Sequence, residues 1–573
     1  MPERKIKKVN MRWEAISEPE QSAVQQLQKE LGVSSTIAAL LVQRGMHTFD
    51  AAKAFFRPQW QDLHSPFLMR DMDKAVARIQ AALEEDQAIM VYGDYDVDGT
   101  TSVALMSSFL AEKTQKVFPY IPDRYTEGYG ISFKGIDVAA EKGIHLIIAL
   151  DCGIKAVDKV AYAKEKGIDF IICDHHLPGE ELPQATALLD PKRPDCNYPF
   201  DELCGCGIGF KLIQAMSESW DEPEEKLFPY LDLVVTAIAA DIVPMEGENR
   251  TLSFFGLAQL RQNPRLGIQS FLGTLKKPVT ITDLVFKVAP RINAAGRMDH
   301  ALVAVNLLTT KDHNEVKKIA AAIEQFNTDR RATDERITQE ALDQIKQREE
   351  EDFPATVVYA TDWHKGVVGI VASRVIENYY RPTVVLTQSG ENYVGSVRSV
   401  KGFNVYNALE ACKGHMIQFG GHKYAAGLSL KKAQLTAFKT AFEKQVEATI
   451  LPEQKTPVIS YDLVLPIDEI NHKLYRIVAQ MAPFGPKNMR PVFCSTNCIE
   501  SGQSKLVGKD QAHLRLSVQT VNGPIVGIGF GLANHFEHIK SGAAFDLLYM
   551  LDENEWNGTS SLQLKIKAIR PKG

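Results

Sequence analysis

The sequence has few cysteines, and they are spread along the whole chain. Eight cysteines in 573 residues are too few and too scattered for a disulfide scaffold. The pair Cys204 and Cys206 and the pair Cys494 and Cys498 are the only close spacings, and neither matches the two-plus-two pattern of zinc sites. We therefore expect reduced and mostly buried thiols.

A long apolar segment is also missing. The most apolar longer run, Leu231 to Val243, contains Asp232 and Asp241 and is too short to span a bilayer. The N-terminus is charged and no apolar stretch follows it, unlike a secretory signal. We therefore expect a cytoplasmic protein that has no membrane partner.

The chain carries no excess of positive charge. Its 65 Lys and Arg residues face 71 Asp and Glu residues, for a net charge of −6. A nucleic-acid partner would therefore have to be held by a local basic groove or by metal ions. One core rarely serves more than roughly 250–300 residues, so the length predicts several domains, and no internal repeat is evident.

Short apolar runs alternate with helical patterns from about residue 85. Buried strands are predicted at Ala88–Tyr92, His145–Leu150 and Asp169–Cys173, with helices at Ser102–Lys113 and Ala156–Lys166. This alternation is typical of a parallel sheet with right-handed crossovers. The fold class is therefore α/β.

The rest of the chain divides by pattern. Residues 301–353 contain no Gly and no Pro, which predicts one or two long connecting helices. Short alternating segments after Pro457 favour a small β-barrel of the oligonucleotide-binding type. We predict a helical arm at 1–84, an α/β domain at 85–300, connecting helices at 301–353, a second α/β domain at 354–450 and an OB-like β-barrel at 456–573. Within the second α/β domain, strands are predicted at Ala355–Tyr359 and Thr383–Thr387 and a helix at Gly369–Tyr380. The arm is interpreted as a packing element, with contact to DNA as the alternative.

Three aspartates alternate directly after the first predicted strand. The segment with Asp94, Asp96 and Asp98 is predicted to be extended, so that these side chains, each two residues from the next, point the same way. Crowded carboxylates cannot all stay ionised without a cation, so a hard divalent metal is expected there. A calcium EF-hand is excluded, because its twelfth position needs Glu and here holds Leu105.

Three further acidic motifs follow predicted elements. Asp151 comes after the second strand, Asp174-His175-His176 after the third, and Asp241 ends an apolar helical run. Ligands in open α/β sheets bind outside the carboxyl ends of the strands. A single Asp after a strand is more often a helix cap, but four such motifs predict one shared metal site.

These motifs resemble those of the DHH phosphoesterase family, which is named for the motif seen here as Asp174-His175-His176. The resemblance covers nearly the whole chain and is greatest to members that degrade single-stranded DNA from the 5′ end. It implies two Mn²⁺ or Mg²⁺ ions held by Asp96, Asp98, Asp151, His175 and Asp241, with Asp151 between them. It also implies that Asp94 and Asp174 are ligands or orienting residues and that His176 touches the scissile phosphate.

The second α/β region resembles the DHH-associated domain that binds substrate in this family. The similar residues are Asp362–Arg374, Ser396 with Arg398, and the run Gly420, Gly421 and His422. Glycines let backbone N–H groups approach phosphate oxygens, and Arg398 offers a planar fork. For the two glycines alone, a tight turn is the alternative.

Two basic loops complete the predicted substrate site. Pro122–Gly130 carries Arg124 beside tyrosines, and Pro290–Met298 carries Arg297. Arginines with aromatic rings suit single strands, because charge follows the phosphates and rings stack on bases. We predict phosphate contacts for Arg124, Arg297, Ser396 and Arg398, with surface salt bridges as the alternative for the arginines.

The resemblance implies two-metal hydrolysis of single-stranded DNA in recombination and repair, with one 5′-mononucleotide released per cycle. It also implies a helicase and a single-strand-binding protein as partners, and a monomer is expected. One alternative is a phosphodiesterase for small oligonucleotides or cyclic dinucleotides, or a pyrophosphatase. Another is a non-catalytic scaffold at replication forks. The chain retains every expected acidic and His position, which argues against this alternative.

Overall fold

The computed structural model describes residues 11–274, 277–556 and 559–572. The chain forms two compact units. The smaller is built mainly from Ala322–Ile459, and the larger contains Ala15–Gly296, His300–Ala321 and Ser460–Gly573. The basic residues of the first ten positions, on which a DNA-contacting arm was considered, lie outside the described residues.

The N-terminal region is mainly helical, as predicted. Its strand and helices are Arg12–Ala15, Gln21–Leu31, Ser35–Gln43, Phe49–Phe56 and Met72–Glu84. Buried side chains of the first three helices, such as Leu27, Leu40 and Phe55, share a core with the C-terminal β-rich region. Arg44 also forms a buried ion pair with Asp462 at 3.1 Å. The predicted packing role is confirmed for this part of the arm.

A five-stranded sheet is the centre of the predicted first α/β domain. Its strands are all parallel, as the strand–helix alternation predicts. From edge to edge they are Val117–Tyr120, Ala88–Gly93, Ile144–Leu150, Asp169–Cys173 and Ala187–Leu189. The parallel arrangement brings the carboxyl ends of the strands to one edge, where the acidic motifs begin.

Helices surround this sheet. They are Val97–Leu110, Phe133–Glu141, Val157–Glu165, Gly205–Ser219, Leu231–Asp241, Gly247–Gln262, Leu266–Leu272, Ile281–Asp283, Ala289–Met298 and Leu302–Thr309. The first of them begins five residues earlier than predicted, at Val97 instead of Ser102. That difference changes the geometry of the aspartate motif described below.

The predicted long helices are confirmed. After Leu302–Thr309, one helix runs from His313 to Gln347. Its length of 35 residues agrees with the absence of Gly and Pro, the two residues that interrupt helices most strongly.

The smaller unit contains a second five-stranded sheet. Its strands, in spatial order, are Gln418–Gly421, Ala425–Lys431, Asn392–Arg398, Thr383–Ser389 and Thr356–Ala360. Only the last pair is parallel; the other neighbours run antiparallel. The helices are Val368–Asn378, Val405–Ala411 and Leu435–Thr449, so the predicted α/β pattern is confirmed.

The C-terminal region is rich in strands, as predicted. A seven-stranded sheet has the order Leu463–Val464, Phe493–Cys498, Phe545–Trp556, Thr559–Pro571, Ile525–Gly529, His513–Val518 and Lys505–Val507. The helices here are His472–Gln480 and Phe536–Lys540. The strand Val458–Tyr461, just before this region, pairs with Arg12–Ala15.

The cysteines and the apolar helices bear on two expectations from the sequence, the lack of a disulfide scaffold and the lack of a membrane-spanning segment. All eight cysteines are free thiols, and all except Cys196 are buried, as expected from their scatter. In the described parts of the chain, no helix combines the length and the apolar character needed to cross a membrane.

Candidate active site

The first acidic motif is a strand–turn–helix rather than an extended segment. Asp94 directly follows the strand Ala88–Gly93, and Asp96 is the N-cap of the helix Val97–Leu110. The Asp96 carboxylate accepts a hydrogen bond from the Gly99 N–H at 3.1 Å, as capping aspartates do. The prediction that all three aspartates alternate along an extended chain is therefore wrong. The turn and the first helical turn bring the carboxylates together instead.

Asp98 is oriented by the start of another helix. Its two carboxylate oxygens accept hydrogen bonds from the N–H groups of Gly205 at 2.6 Å and Cys206 at 2.8 Å. These donors belong to the first turn of Gly205–Ser219, where the helix dipole also favours an anion. A Cβ atom on Gly205 would lie 2.5 Å from the Asp151 Cβ, so only glycine fits.

This support for Asp98 is not among the features predicted from the sequence, where Cys204 and Cys206 are interpreted only as thiols. The glycines that alternate with other residues at Gly205, Gly207 and Gly209 were the available signal, because they mark a close approach of backbone at a helix start.

His175 lies at the meeting point of the remaining motifs. Its Nε2 atom is 3.1 Å from a carboxylate oxygen of Asp151 and 3.8 Å from oxygens of Asp98 and Asp241. Two trios offer ligand atoms within 4.8 Å of one another: Asp151 with His175 and His176, and Asp98 with His175 and Asp241. Motifs that are up to 143 residues apart in the chain, from Asp98 to Asp241, thus converge on one place.

Asp174 is occupied as a hydrogen-bond acceptor. Its carboxylate accepts from the N–H groups of Ile154 at 2.9 Å, His175 at 2.8 Å and His176 at 3.2 Å. It also lies 2.7 Å from the Nδ1 atom of His176. This geometry favours an orienting role for Asp174 over that of a ligand. The Nε2 atom of His176 is 3.3 Å from the Tyr129 hydroxyl.

The carboxyl groups of the site have strongly perturbed acidities. Burial raises the pKa of Asp94 to about 8 and of Asp98 to about 7, and the charge of Asp96 adds to both shifts. Burial and the charge of Asp98 raise the pKa of Asp241 to about 8. The pKa of Asp151 is also raised, again by burial and then by Asp98.

The two histidines shift in opposite directions. Burial and the neighbouring His176 lower the pKa of His175 to about 4, so this imidazole is neutral at physiological pH and available as a ligand. Burial also acts to lower the pKa of His176, but the hydrogen bond and charge of Asp174 outweigh it, and the net pKa is raised.

These residues fit hard divalent cations. Buried like charges repel one another unless a cation or protons neutralise them. The Oδ2 atom of Asp94 is buried and has no hydrogen-bond partner among the described residues, which leaves one oxygen available for a ligand. Carboxylate oxygens with one neutral imidazole are a donor set that suits Mn²⁺ and also accommodates Mg²⁺.

Arg124 is connected to His176 by successive contacts through two tyrosine rings. Its guanidinium lies over the Tyr95 ring, 4.6 Å from the centroid. The Tyr95 ring meets Tyr129 edge to face at 6.0 Å, and Tyr129 meets His176 in the same way at 6.2 Å. The structure therefore brings Arg124 to the wall of the acidic site, where charge and rings together suit a single strand.

Within the smaller unit, three predicted residues gather near the start of the helix Val368–Asn378. Arg297 donates to the Gly366 carbonyl at 2.7 Å, and Arg398 donates to the Ser396 hydroxyl at 2.7 Å. A Cβ atom on Gly369 would lie 2.9 Å from an Arg398 nitrogen. Burial lowers the pKa of Arg398, a cost that a bound anion would offset.

The glycine-histidine run lies in an exposed hairpin of the same sheet. Gly421 has φ +145°, and a Cβ atom there would meet the Ala425 carbonyl oxygen at 2.4 Å. Gly420 has open space around it and pairs with Gly427, which pairs in turn with Ser396. The hairpin therefore needs one glycine for its turn, and the His422 side chain is exposed.

Models of three domain families match the chain. The N-terminal domain of the DHH family matches residues 88–238, the DHHA1 domain matches 352–448, and the RecJ OB domain matches 461–568. The OB match agrees with the β-barrel predicted for the C-terminal region. The α/β fold with two α/β domains and an OB domain is therefore established.

Known proteins with these domains are similar along most of the chain. The single-stranded-DNA-specific exonuclease RecJ of Bacillus subtilis is 36% identical over 563 residues, which cover 97% of this chain and 70% of that protein. RecJ of Escherichia coli is 33% identical, over 89% of this chain and 91% of that protein. The crystal structure of Thermus thermophilus RecJ in complex with Mn²⁺ aligns with a TM-score of 0.82 and 26% identity, over 98% of this chain and 80% of that one. The Mg²⁺ complex aligns with a TM-score of 0.77 at 25% identity, over 98% and 79% of the two chains.

A thermal-shift measurement tests the metal site. Mn²⁺ should raise the unfolding temperature of the protein, because a ligand at 100 times its Kd stabilises the folded state by about 2.7 kcal/mol. Asp151→Asn should remove most of this increase, since Asn tolerates the φ of +60° at Asp151 but carries no charge. An equal increase in both proteins would contradict the assignment of Asp151.

The raised carboxyl pKa values predict how stability depends on pH when a chelator is present. Groups with folded pKa values of about 7 to 8 bind more protons in the folded state than in the unfolded state. The unfolding temperature should therefore fall as pH rises from about 6 to about 8.5. Asp94→Asn should reduce this slope, whereas a slope equal to that of the wild type would show that Asp94 does not titrate in this range.

Proposed function

Because the chain belongs to the RecJ family of single-stranded-DNA-specific exonucleases, we propose that it degrades single-stranded DNA from the 5′ end and releases 5′-mononucleotides. It is a metal-dependent nuclease, with Mn²⁺ or Mg²⁺ as its cofactor. The observation that carries the proposal is the convergence of Asp98, Asp151 and Asp241 on His175. Such a set of carboxylates with a neutral imidazole is suited to hold the divalent ions of two-metal phosphodiester hydrolysis.

We assign the metal ligands to Asp96, Asp98, Asp151, His175 and Asp241, with Asp151 shared between two ions. The two trios of ligand atoms, which share His175, include Asp98, Asp151 and Asp241 and support neighbouring ligand positions. The inclusion of Asp96 and the sharing of Asp151 rest on the family resemblance. When bound, such ions lower the pKa of water and neutralise charge on the attacking and leaving oxygens. Asp94, with its free buried oxygen, orients this shell or joins it.

The two histidines of the site differ in their protonation states. His175 stays neutral because of its lowered pKa, and its lone pair is available. Asp174 fixes the His176 ring through Nδ1, and the raised pKa of His176 increases the fraction with a proton on Nε2. These observations support the proposal that His176 donates a hydrogen bond to the scissile phosphate.

Further residues would hold the strand. Arg124 with the tyrosines beside it would bind the backbone and bases, and Arg297, Ser396 and Arg398 would bind phosphate. The hairpin with Gly420, Gly421 and His422 would add backbone donors. We propose the domain limits 85–300, 354–450 and 456–573 for metal chemistry, phosphate binding and strand binding, with 1–84 as a packing arm and 301–353 as connecting helices.

The cellular role follows from the family. We propose that the protein works in the cytoplasm as a monomer, in DNA recombination and repair, and that a helicase and a single-strand-binding protein supply its substrate. The three matched domains, including the OB domain, support a polymer substrate over a dinucleotide.

Removal of one anionic ligand should abolish cleavage. Asp151→Asn should lower kcat on single-stranded DNA by about 10³-fold or more, because an ion worth several kcal/mol of transition-state stabilisation is displaced. Asp158→Asn, on the exposed face of the helix Val157–Glu165, is the matched control and should keep the wild-type rate. Near wild-type activity of Asp151→Asn, with an unchanged circular dichroism spectrum, would refute the site.

End-labelled oligonucleotides test polarity and substrate size. With Mn²⁺, a 5′-labelled single strand should release labelled mononucleotide at once, and a 3′-labelled strand should shorten stepwise. Duplex DNA and dinucleotides should react much more slowly. Early release of mononucleotide from the 3′ label would reverse the polarity, and faster cleavage of dinucleotides would favour a small-oligonucleotide phosphodiesterase.

A further inference from the structure

The loop after the edge strand Ala187–Leu189 begins at the sheet edge where the DHH motif lies. This strand pairs in parallel with Asp169–Cys173, and the Asp174 N–H donates to the Leu189 carbonyl at 3.0 Å. The residues that follow Leu189 therefore emerge at the same edge of the sheet as Asp174, His175 and His176.

The loop is held firmly at two points. The Asp190 carboxylate is buried and accepts a hydrogen bond from the Lys192 N–H at 2.8 Å, the geometry of an Asx turn. The buried Arg193 side chain donates to the Leu188 carbonyl at 2.6 Å, to Asp71 at 2.9 Å and to Asp195 at 3.0 Å. Lys192 is thus placed by anchors on both sides of it.

The Lys192 side chain is half-buried, and its ammonium makes no hydrogen bond or ion pair with any residue that the structure describes. Its charge nevertheless reaches the site: it acts to lower the pKa values of Asp241 and His175, although burial is the largest influence on both groups. The anchored loop therefore keeps this ammonium without a carboxylate partner among the described residues, at the edge of an acidic site.

We propose that Lys192 binds a phosphate oxygen of the DNA strand in the active site. This inference rests on the proposed active site and adds a substrate contact to it. A lysine ammonium is a compact point charge that binds phosphate readily. Next to crowded carboxylates, such a cation offsets the repulsion that the anionic DNA backbone meets there.

The test uses the full-length protein with Mn²⁺ and a single-stranded oligonucleotide at several salt concentrations. Lys192→Met should raise KM about tenfold with kcat changed less than about threefold, because it removes binding shared by the ground and transition states. The slope of log(kcat/KM) against log[salt] should become shallower by about 0.7, the value for one phosphate contact on a single strand. Lys192→Arg should restore most of the affinity.

Two reference variants separate the possible outcomes. Lys164→Met removes an exposed lysine from the helix Val157–Glu165 and should leave KM and the salt slope at wild-type values. If Lys192→Met matches wild type in both quantities while Asp151→Asn is inactive, the Lys192 contact is wrong and the active site stands. If Asp151→Asn is active, the active site itself is wrong.

Charge balance within the protein is the competing role for Lys192. In that case Lys192→Met would change the Mn²⁺ concentration for half-maximal activity and leave the salt slope unchanged, which would overturn the proposal. The unfolding temperature of each variant checks that it is folded, and Lys192→Gln replaces Lys192→Met if the latter is unstable. A Lys192→Gln variant with the wild-type salt slope would equally overturn the proposal.

Discussion

The constraint on which the site depends is the repulsion among buried carboxylates. Asp94, Asp98 and Asp151 are almost entirely inaccessible, and their raised pKa values express the cost of keeping them charged. Only protons or cations can relieve that cost. The buried carboxylates therefore favour the binding of divalent metal ions. The same ions provide the chemistry of phosphodiester hydrolysis.

The architecture provides this crowding with local support. Parallel strands deliver Asp94, Asp151 and Asp174 to one edge of the sheet, and a helix start supplies two N–H donors to Asp98. The Asp174 carboxylate instead makes a hydrogen bond with Nδ1 of His176 and orients its ring. The result separates the acidic residues into those that are available to cations and one that positions a histidine.

The proposed substrate contacts draw on different chemistry. In the larger unit, Arg124 with the tyrosines and, as proposed, Lys192 supply cationic and aromatic groups close to the carboxylates. In the smaller unit, Arg398 is desolvated beside Ser396 and the glycine at position 369. If these proposed contacts hold, a protein of net charge −6 binds a polyanion through positive charge that is concentrated locally.

The amino-acid sequence by itself determined the α/β class, the parallel sheet, the long helix and the identity of the motif residues. These features follow from periodicity, from the absence of Gly and Pro, and from residue types that tolerate few alternatives. The cap at Asp96 is a local contact between residues three positions apart, whereas tertiary structure alone decided that Gly205 and Cys206 hold Asp98. Likewise, only the fold brought the loop that carries Lys192 to the sheet edge where His175 lies. The contacts to Asp98 join residues 107 and 108 positions apart, and no local pattern in the sequence encodes such a pairing.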